Sequence, residues 1–223
     1  MPRMARVVIP GIAHHVTQRG NRGEDIFFGD ADHRRFIELL REYAVKHGLA
    51  VRAWCLMANH FHLVAIPVRA GSLAGTLKPV NLRYAQHVNW TRNLTGRLWQ
   101  GRFYSCPLDE RHFWAAVRYV ERNPVRAKLV RRAWDWPWSS AAGHCGLRTD
   151  PLTTGPLELP QGVSDWRELL SGPEDATMLK TLQTHTLTGR PAGDKGFVAK
   201  LERLLGRRLH ALPVGRPRKK SEK

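Results

Sequence analysis

Between Ile12 and Asn123 the spacing of apolar residues switches repeatedly between a period of two and a period near 3.6, and the order of those switches leaves few folds open. Ile12 to Arg19 alternates as a strand and stops at the turn-forming Gly20-Asn21-Arg22-Gly23. Asp30 can cap a helix reaching about His47, with Phe36, Leu39, Leu40 and Tyr43 on its buried face and Gly48 to stop it. Ala50 to Met57 is a strand, Ala58-Asn59 a tight turn, and His60 to Ile66 the hairpin partner. Ser72 can cap a second helix with Leu73, Leu77, Val80, Tyr84 and Val88 at helical spacing, although Pro79 should kink it or delay its start. Leu98 to Leu108 holds another strand. Asp109 or Glu110 opens a third helix, and Pro124 closes it because the residue before a proline is pushed out of the α region. This is the split βαβ order of a ferredoxin-like sheet. The expected fold class is α+β: an antiparallel sheet of four or five strands with helices on one face, plus a small helical C-terminal extension.

Residues 1–150 would form the main domain and the Pro/Gly-rich stretch 151–164 a linker. Residues 165–223 would form a helical, basic DNA-binding extension, with helices over Asp165–Leu170, Glu174–Leu187 and Asp194–Leu209. The last two, split by Thr188-Gly189-Arg190-Pro191, suit a helix-turn-helix-like binder. Gly215-Arg216-Pro217-Arg218-Lys219 is similar to an AT-hook, a segment that lies in the narrow minor groove of A·T-rich DNA; a nonspecific basic tail is the alternative.

Charge points to the partner. Thirty-six Lys and Arg against 19 Asp and Glu give a formal +17, an excess with little purpose unless a polyanion meets it. Arginine dominates, which suits bidentate contacts to phosphate and guanine. Nothing approaches a membrane span, and Val7-Val8-Ile9 is too short for a signal peptide, so the expected location is the cytoplasm, in association with the nucleoid. Cys55, Cys106 and Cys145 are scattered and form no CxxC pair, which argues against a disulfide framework or a zinc knuckle.

Two patterns carry chemistry. In His60-Phe61-His62 the imidazoles share one face of a strand while Phe61 and Leu63 take the other, and two histidines so placed can hold one divalent metal. On the third helix Tyr119 and Asn123 are four residues apart, hence neighbours. Tyr119 lies at the border of the apolar stripe Phe113, Val117 and Val120, neither fully buried nor free. Each pattern alone also suits an ordinary half-exposed strand and a rim tyrosine.

Five stretches together resemble the single-tyrosine HUH transposases of insertion sequences, and most of all the REP-associated tyrosine transposases. They are Pro10 to Gly20, Met57-Ala58-Asn59-His60-Phe61-His62-Leu63, Trp99-Gln100-Gly101-Arg102-Phe103, Arg118 to Ala127, and Trp136-Pro137-Trp138-Ser139-Ser140. The resemblance implies a metal-dependent single-strand DNA endonuclease and strand transferase working through a 5′-phosphotyrosine. Tyr119 would be the nucleophile, and His60, His62 and Asn123 the ligands of Mg²⁺ or Mn²⁺, with single-stranded or hairpin-forming repeat DNA as partner. Ala58 departs from the proline common at that place. Relatives include monomers and homodimers.

The DNA-contacting candidates are His14, Arg19, Gln100, Arg102, Arg118 and Arg122, with Arg216, Arg218 and Lys219 in the tail. Trp99 suits base stacking and core packing equally. Two other functions fit the same scaffold: a DNA-binding regulator that does not cut, and an RNA-binding module that would need Phe61 and Phe103 on the surface.

Overall fold

The computed structural model describes residues 5–210. Strands β1 (His14–Arg19), β2 (Leu49–Met57), β3 (His60–Pro67) and β4 (Tyr104–Pro107) form an antiparallel sheet in the order β2-β3-β1-β4. Around it lie α1 (Asp30–His47), α2 (Ser72–Arg92), α3 (Glu110–Glu121), α4 (Asn123–Arg126), α5 (Ala141–His144), α6 (Trp166–Ser171), α7 (Ala176–Thr188) and α8 (Lys195–Leu205). The α+β class and the antiparallel sheet are as expected.

The placement of the helices is not. Only α1 and α2 pack where one covered face was expected, against Val16, Trp54, Leu56, Phe61, Leu63 and Ala65. The other face is also dry: Ala53, Cys55, Met57, Val64 and Cys106 pack against Ala116, Val117, Tyr119 and Val120 of α3 and Leu182 of α7. The cause is visible in β2, where Ala53 to Met57 is a continuous apolar run buried on both sides. Such a run marks a strand covered twice rather than once.

Local chemistry explains most element ends. Asp30 does not cap α1: Gly29 stands at the cap without a side-chain bond, and Asp32 in the first turn reaches back to accept the Phe28 N–H at 3.0 Å. Gly48 closes that helix at φ 65°, a left-handed turn that glycine adopts without a Cβ clash. α2 runs through Pro79 unbroken, against the expected kink or late start. The fully buried row Leu73, Leu77, Val80, Tyr84 and Val88 holds it on the core in spite of the lost N–H. β4 is shorter than the expected Leu98–Leu108 because Trp99 turns into an aromatic cluster with Phe36, Phe61 and Tyr84, leaving only a bridge to Gly20. Beyond β2 a fifth strand is reduced to one bridge, Cys55 to Ser139. There Trp138 and Ser140 still occupy the edge through bonds to Leu56 N and Trp54 O.

α3 is anchored at both ends. Asp109 caps it, accepting the His112 N–H at 2.8 Å, and also accepts the Asp194 N–H at 3.0 Å. At the far end the buried Glu121 carboxylate accepts from the Ser140 hydroxyl and from His144 Nδ1 at 2.6 Å. Pro124 does not close α3, as expected, but opens α4, where the missing N–H has no partner to lose.

Within 151–164, Leu152 is buried in the main core and Thr153 bridges Val51. α7 packs on β4 and α3. Leu201 of α8 and Leu209 pack with Val7 and Ile9. Arg216, Arg218 and Lys219 lie outside the described residues. Among those described, no helix is long and apolar enough to cross a membrane.

Phe36 is fully buried at the centre of the aromatic cluster, so Phe36→Ala should cost about 3–5 kcal/mol in urea unfolding. Val45 on the same helix is 77% exposed, and Val45→Ala should change stability by no more than about 0.5 kcal/mol.

Candidate active site

The turn Ala58-Asn59 sets the register of β3, and β1 pairs beside it with Arg19 opposite His60 and Thr17 opposite His62. Alternation then puts His60 and His62 on the α3 face and Phe61 and Leu63 in the α1/α2 core, as the sequence implied.

Both imidazoles are uncharged. Burial, reinforced by Arg19 and Arg126 and opposed by a side-chain hydrogen bond to Asn123, lowers His60 to about 4. Burial first, then His15, His60 and Arg126, holds His62 well below its usual value. The tautomer of His60 is also fixed. Asn59 donates its amide to Gly23 O at 3.0 Å, so its Oδ1 faces His60 Nδ1 at 2.6 Å and must accept from it. A neutral His60 therefore carries its proton on Nδ1, which leaves Nε2 as the nitrogen able to ligate.

α3 carries the phenol across the sheet face. The Tyr119 ring stands edge-on to His62, with centroids 5.3 Å apart, and to His15 at 5.6 Å. The Arg126 guanidinium lies 4.1 Å from the Tyr119 ring centroid and donates to the Tyr119 carbonyl at 2.6 Å. From α7, Gln183 Nε2 reaches the Tyr119 hydroxyl in a long contact of 3.5 Å. Tyr119 is consequently only 8% exposed, more covered than the expected border position, because α7 and Arg126 close over it. Asn123 belongs to α4 rather than to the tyrosine helix, beyond a kink at Arg122 (φ −85°, ψ 1°). It still reaches His60, and its amide nitrogen is buried without a hydrogen-bond partner.

His60, His62, Tyr119 and Asn123 thus come together. Arg19 is exposed beside His60. Exposed Gln100 and Arg102 sit in the loop tied to the end of β1 through Gln100 N–H to Arg19 O at 3.0 Å. His14 is misplaced as a DNA-contacting residue: it is fully buried on the opposite sheet face, with Nδ1 2.8 Å from Ile12 O. Arg118 and Arg122 are tied down by the carbonyls of Gly172 and Leu170, and Arg122 also pairs with Glu174 at 3.3 Å. Trp99 is half-buried against the core, and Phe61 and Phe103 are buried, which removes the surface aromatics expected of Phe61 and Phe103 in an RNA-binding sheet.

Sequence reasoning missed Arg126, His15, Gln183 and Thr186. Arg126 had a signal, since it sits one turn after Arg122 in the quoted Arg118–Ala127 stretch. Strand alternation required one of His14 and His15 to face the site without saying which. Gln183 and Thr186 carried no signal.

The family model described as "Transposase IS200 like" matches residues 9–123, a span that includes both histidines and Tyr119 and ends on Asn123. The chain belongs to the IS200-like transposase family. Among solved structures it is similar to a REP-associated tyrosine transposase bound to a REP hairpin, at 17% identity and a TM-score of 0.53, over 74% of this chain and 98% of that one. That likeness supports the fold. A Deinococcus radiodurans R1 chain described as a transposase aligns at 15% identity and a TM-score of 0.38, over 57% of this chain and 92% of that one. No curated protein matches the chain. For this transposase-family fold, α7 and the residues it brings to the site lie outside the matched span.

The buried imidazoles make a pH prediction. Burial lowers His14 and His60 to about 4 and His15 to about 3, against 6.5 for an exposed histidine. Below 6.5 the unfolded chain takes up protons that the folded protein refuses. Stability is therefore full above that value and falls as pH drops toward about 4. Urea unfolding at stepped pH should show this slope, and His14→Gln, away from the site, should make it shallower.

Proposed function

We propose that this family member is a tyrosine-dependent single-strand DNA endonuclease and strand transferase acting on hairpin-forming DNA. The observation that carries the reading is the Tyr119 ring edge-on to His62 with centroids 5.3 Å apart, in a cluster with His60, Asn123 and Arg126. A phenol buried among uncharged imidazoles under a guanidinium is poor core packing and a good arrangement for attacking a phosphodiester.

The donor set fits a divalent cation. Among the described residues no three His, Cys, Asp or Glu converge as a metal group, so the set is two imidazoles and an amide. With its proton on Nδ1 His60 can ligate through Nε2, both rings are neutral as ligands must be, and the Asn123 side chain lies within hydrogen-bond reach of His60, close enough for its oxygen to join the two imidazoles. His60, His62 and Asn123 would hold Mg²⁺ or Mn²⁺, which would neutralise charge on the non-bridging oxygens of the scissile phosphate.

The protein's own groups do the rest. The Tyr119 oxygen bonds to phosphorus and the bond to the 3′-oxygen breaks, giving a 5′-phosphotyrosine and a free 3′-hydroxyl. The phenol gives up one proton and the leaving oxygen gains one, so the step is balanced and needs no nucleotide cofactor. Because the phosphodiester is conserved, another 3′-hydroxyl can reverse it and join strands. Arg126, held by Glu174 and by the Tyr119 carbonyl, keeps a guanidinium beside the nucleophile, and would turn it to the phosphate by giving up one of those contacts. Arg19, Gln100 and Arg102 offer an exposed path for the strand next to His60, and the net charge of +17 supports salt-sensitive DNA binding.

Incubation with a labelled single-stranded hairpin and Mn²⁺ should give a covalent adduct on the peptide containing Tyr119, seen on a denaturing gel and by mass analysis. Tyr119→Phe should abolish it, and His62→Ala or Arg126→Ala should slow it by about 10²-fold or more. Hairpin binding that is indifferent to Tyr119 and to chelator, with no adduct, would instead identify a non-cutting DNA-binding regulator.

A further inference from the structure

α7 lies beyond the residues that the family model matches, yet one of its side chains begins a line of hydrogen bonds that ends on His62. Thr186 Oγ1 is 2.7 Å from Leu182 O, one turn earlier on the helix. Two oxygens approach this closely only with a hydrogen between them, and a carbonyl has none to offer, so the Thr186 hydroxyl donates there. With its only proton committed, Thr186 Oγ1 must receive at its other contacts. These are His15 Nδ1 at 2.7 Å and the Cys106 thiol at 3.2 Å.

The direction then propagates. His15 carries its proton on Nδ1, and as an uncharged ring it has a lone pair on Nε2. That nitrogen is 3.0 Å from His62 Nδ1, with the two rings stacked 5.1 Å apart and 10° from parallel. His62 is the donor, so its proton sits on Nδ1 and its Nε2 is bare. The alternative direction, with Thr186 donating to His15, would leave Leu182 O facing a hydroxyl oxygen at 2.7 Å with nothing between.

We propose that Thr186 and His15 are positioning residues: together they lock His62 in the Nδ1–H tautomer and keep its Nε2 free to act as a ligand. Asn59 imposes the same tautomer on His60 from the adjacent turn. For His62 the instruction comes from a helix 171 residues after His15 in the chain. The significance of a bare Nε2 rests on the metal-site reading above; the tautomer itself does not. An imidazole with a proton on Nε2 cannot ligate through that atom, and partners that orient ligating histidines typically change metal affinity by about 10- to 100-fold.

The test uses the full-length protein with ¹⁵N-labelled histidine. Long-range ¹H–¹⁵N correlation spectra without metal should show His62 protonated at Nδ1 and bare at Nε2. Thr186→Val removes the acceptor for His15 and should shift His62 toward the Nε2–H form, weakening Mn²⁺ binding by about 10-fold or more in a direct titration. Thr186→Ser should restore both, which a purely structural loss would not. His15→Leu should behave like the valine variant, and His15→Gln, whose amide oxygen can accept from His62, should recover part of the effect. A wild-type His62 protonated at Nε2 would overturn the proposal. So would a Thr186→Val protein whose His62 tautomer and Mn²⁺ affinity match the wild type. If the tautomers behave as described but no Tyr119 adduct ever forms, the relay stands and the nuclease reading falls.

Discussion

β3 is paired on both sides, and its side chains alternate between two cores, so its register decides which chemistry faces which helix layer. Phe61 and Leu63 fill the α1/α2 core while His60 and His62 face α3. A slip of one residue would exchange the two sets. It would force Phe61 and Leu63 into the space that His60 and His62 fill under α3, and drive two imidazoles into the α1/α2 core without hydrogen-bond partners. The apolar residues between the histidines thus enforce the position of the histidines. Thr17 opposite His62 and Arg19 opposite His60 follow from the same register, as does the reach of His15 to His62.

On that frame the site is assembled from parts far apart in sequence. Three uncharged imidazoles lie beside Arg126, and Arg126 is among the groups that keep them uncharged. Glu174, just before α7, pairs with Arg126 at 2.8 Å and with Arg122 at 3.3 Å. The C-terminal segment thereby holds the arginines of the α3–α4 corner, covers the phenol through Gln183, and sets a histidine tautomer through Thr186. It works as a wall of the site.

Much of this was legible beforehand where the cause is local. The alternation through His60-Phe61-His62 placed two imidazoles on one face, and caps and left-handed glycines such as Gly48 marked helix ends. Tertiary packing erased other signals. Trp99 ended the expected strand early because its ring found Phe36, Phe61 and Tyr84. Pro79 failed to break a helix held by five buried neighbours. The second helix layer could have been inferred from the unbroken apolar run Ala53–Met57, a period-two pattern with no polar face left to water. Thr186 and Gln183 could not, since a threonine and a glutamine on a mixed helix are ordinary until the fold brings them to His15 and Tyr119.

The most direct measurement is a crystal structure of the Tyr119→Phe protein with Mn²⁺ and an uncleaved single-stranded hairpin, using the anomalous signal of manganese to locate the ion. The account requires the ion on Nε2 of both His60 and His62 with Asn123 beside it, and the ring at position 119 facing the phosphate bound to that ion. Manganese away from the two imidazoles, or a phosphate path running along a different face of the sheet, would contradict it.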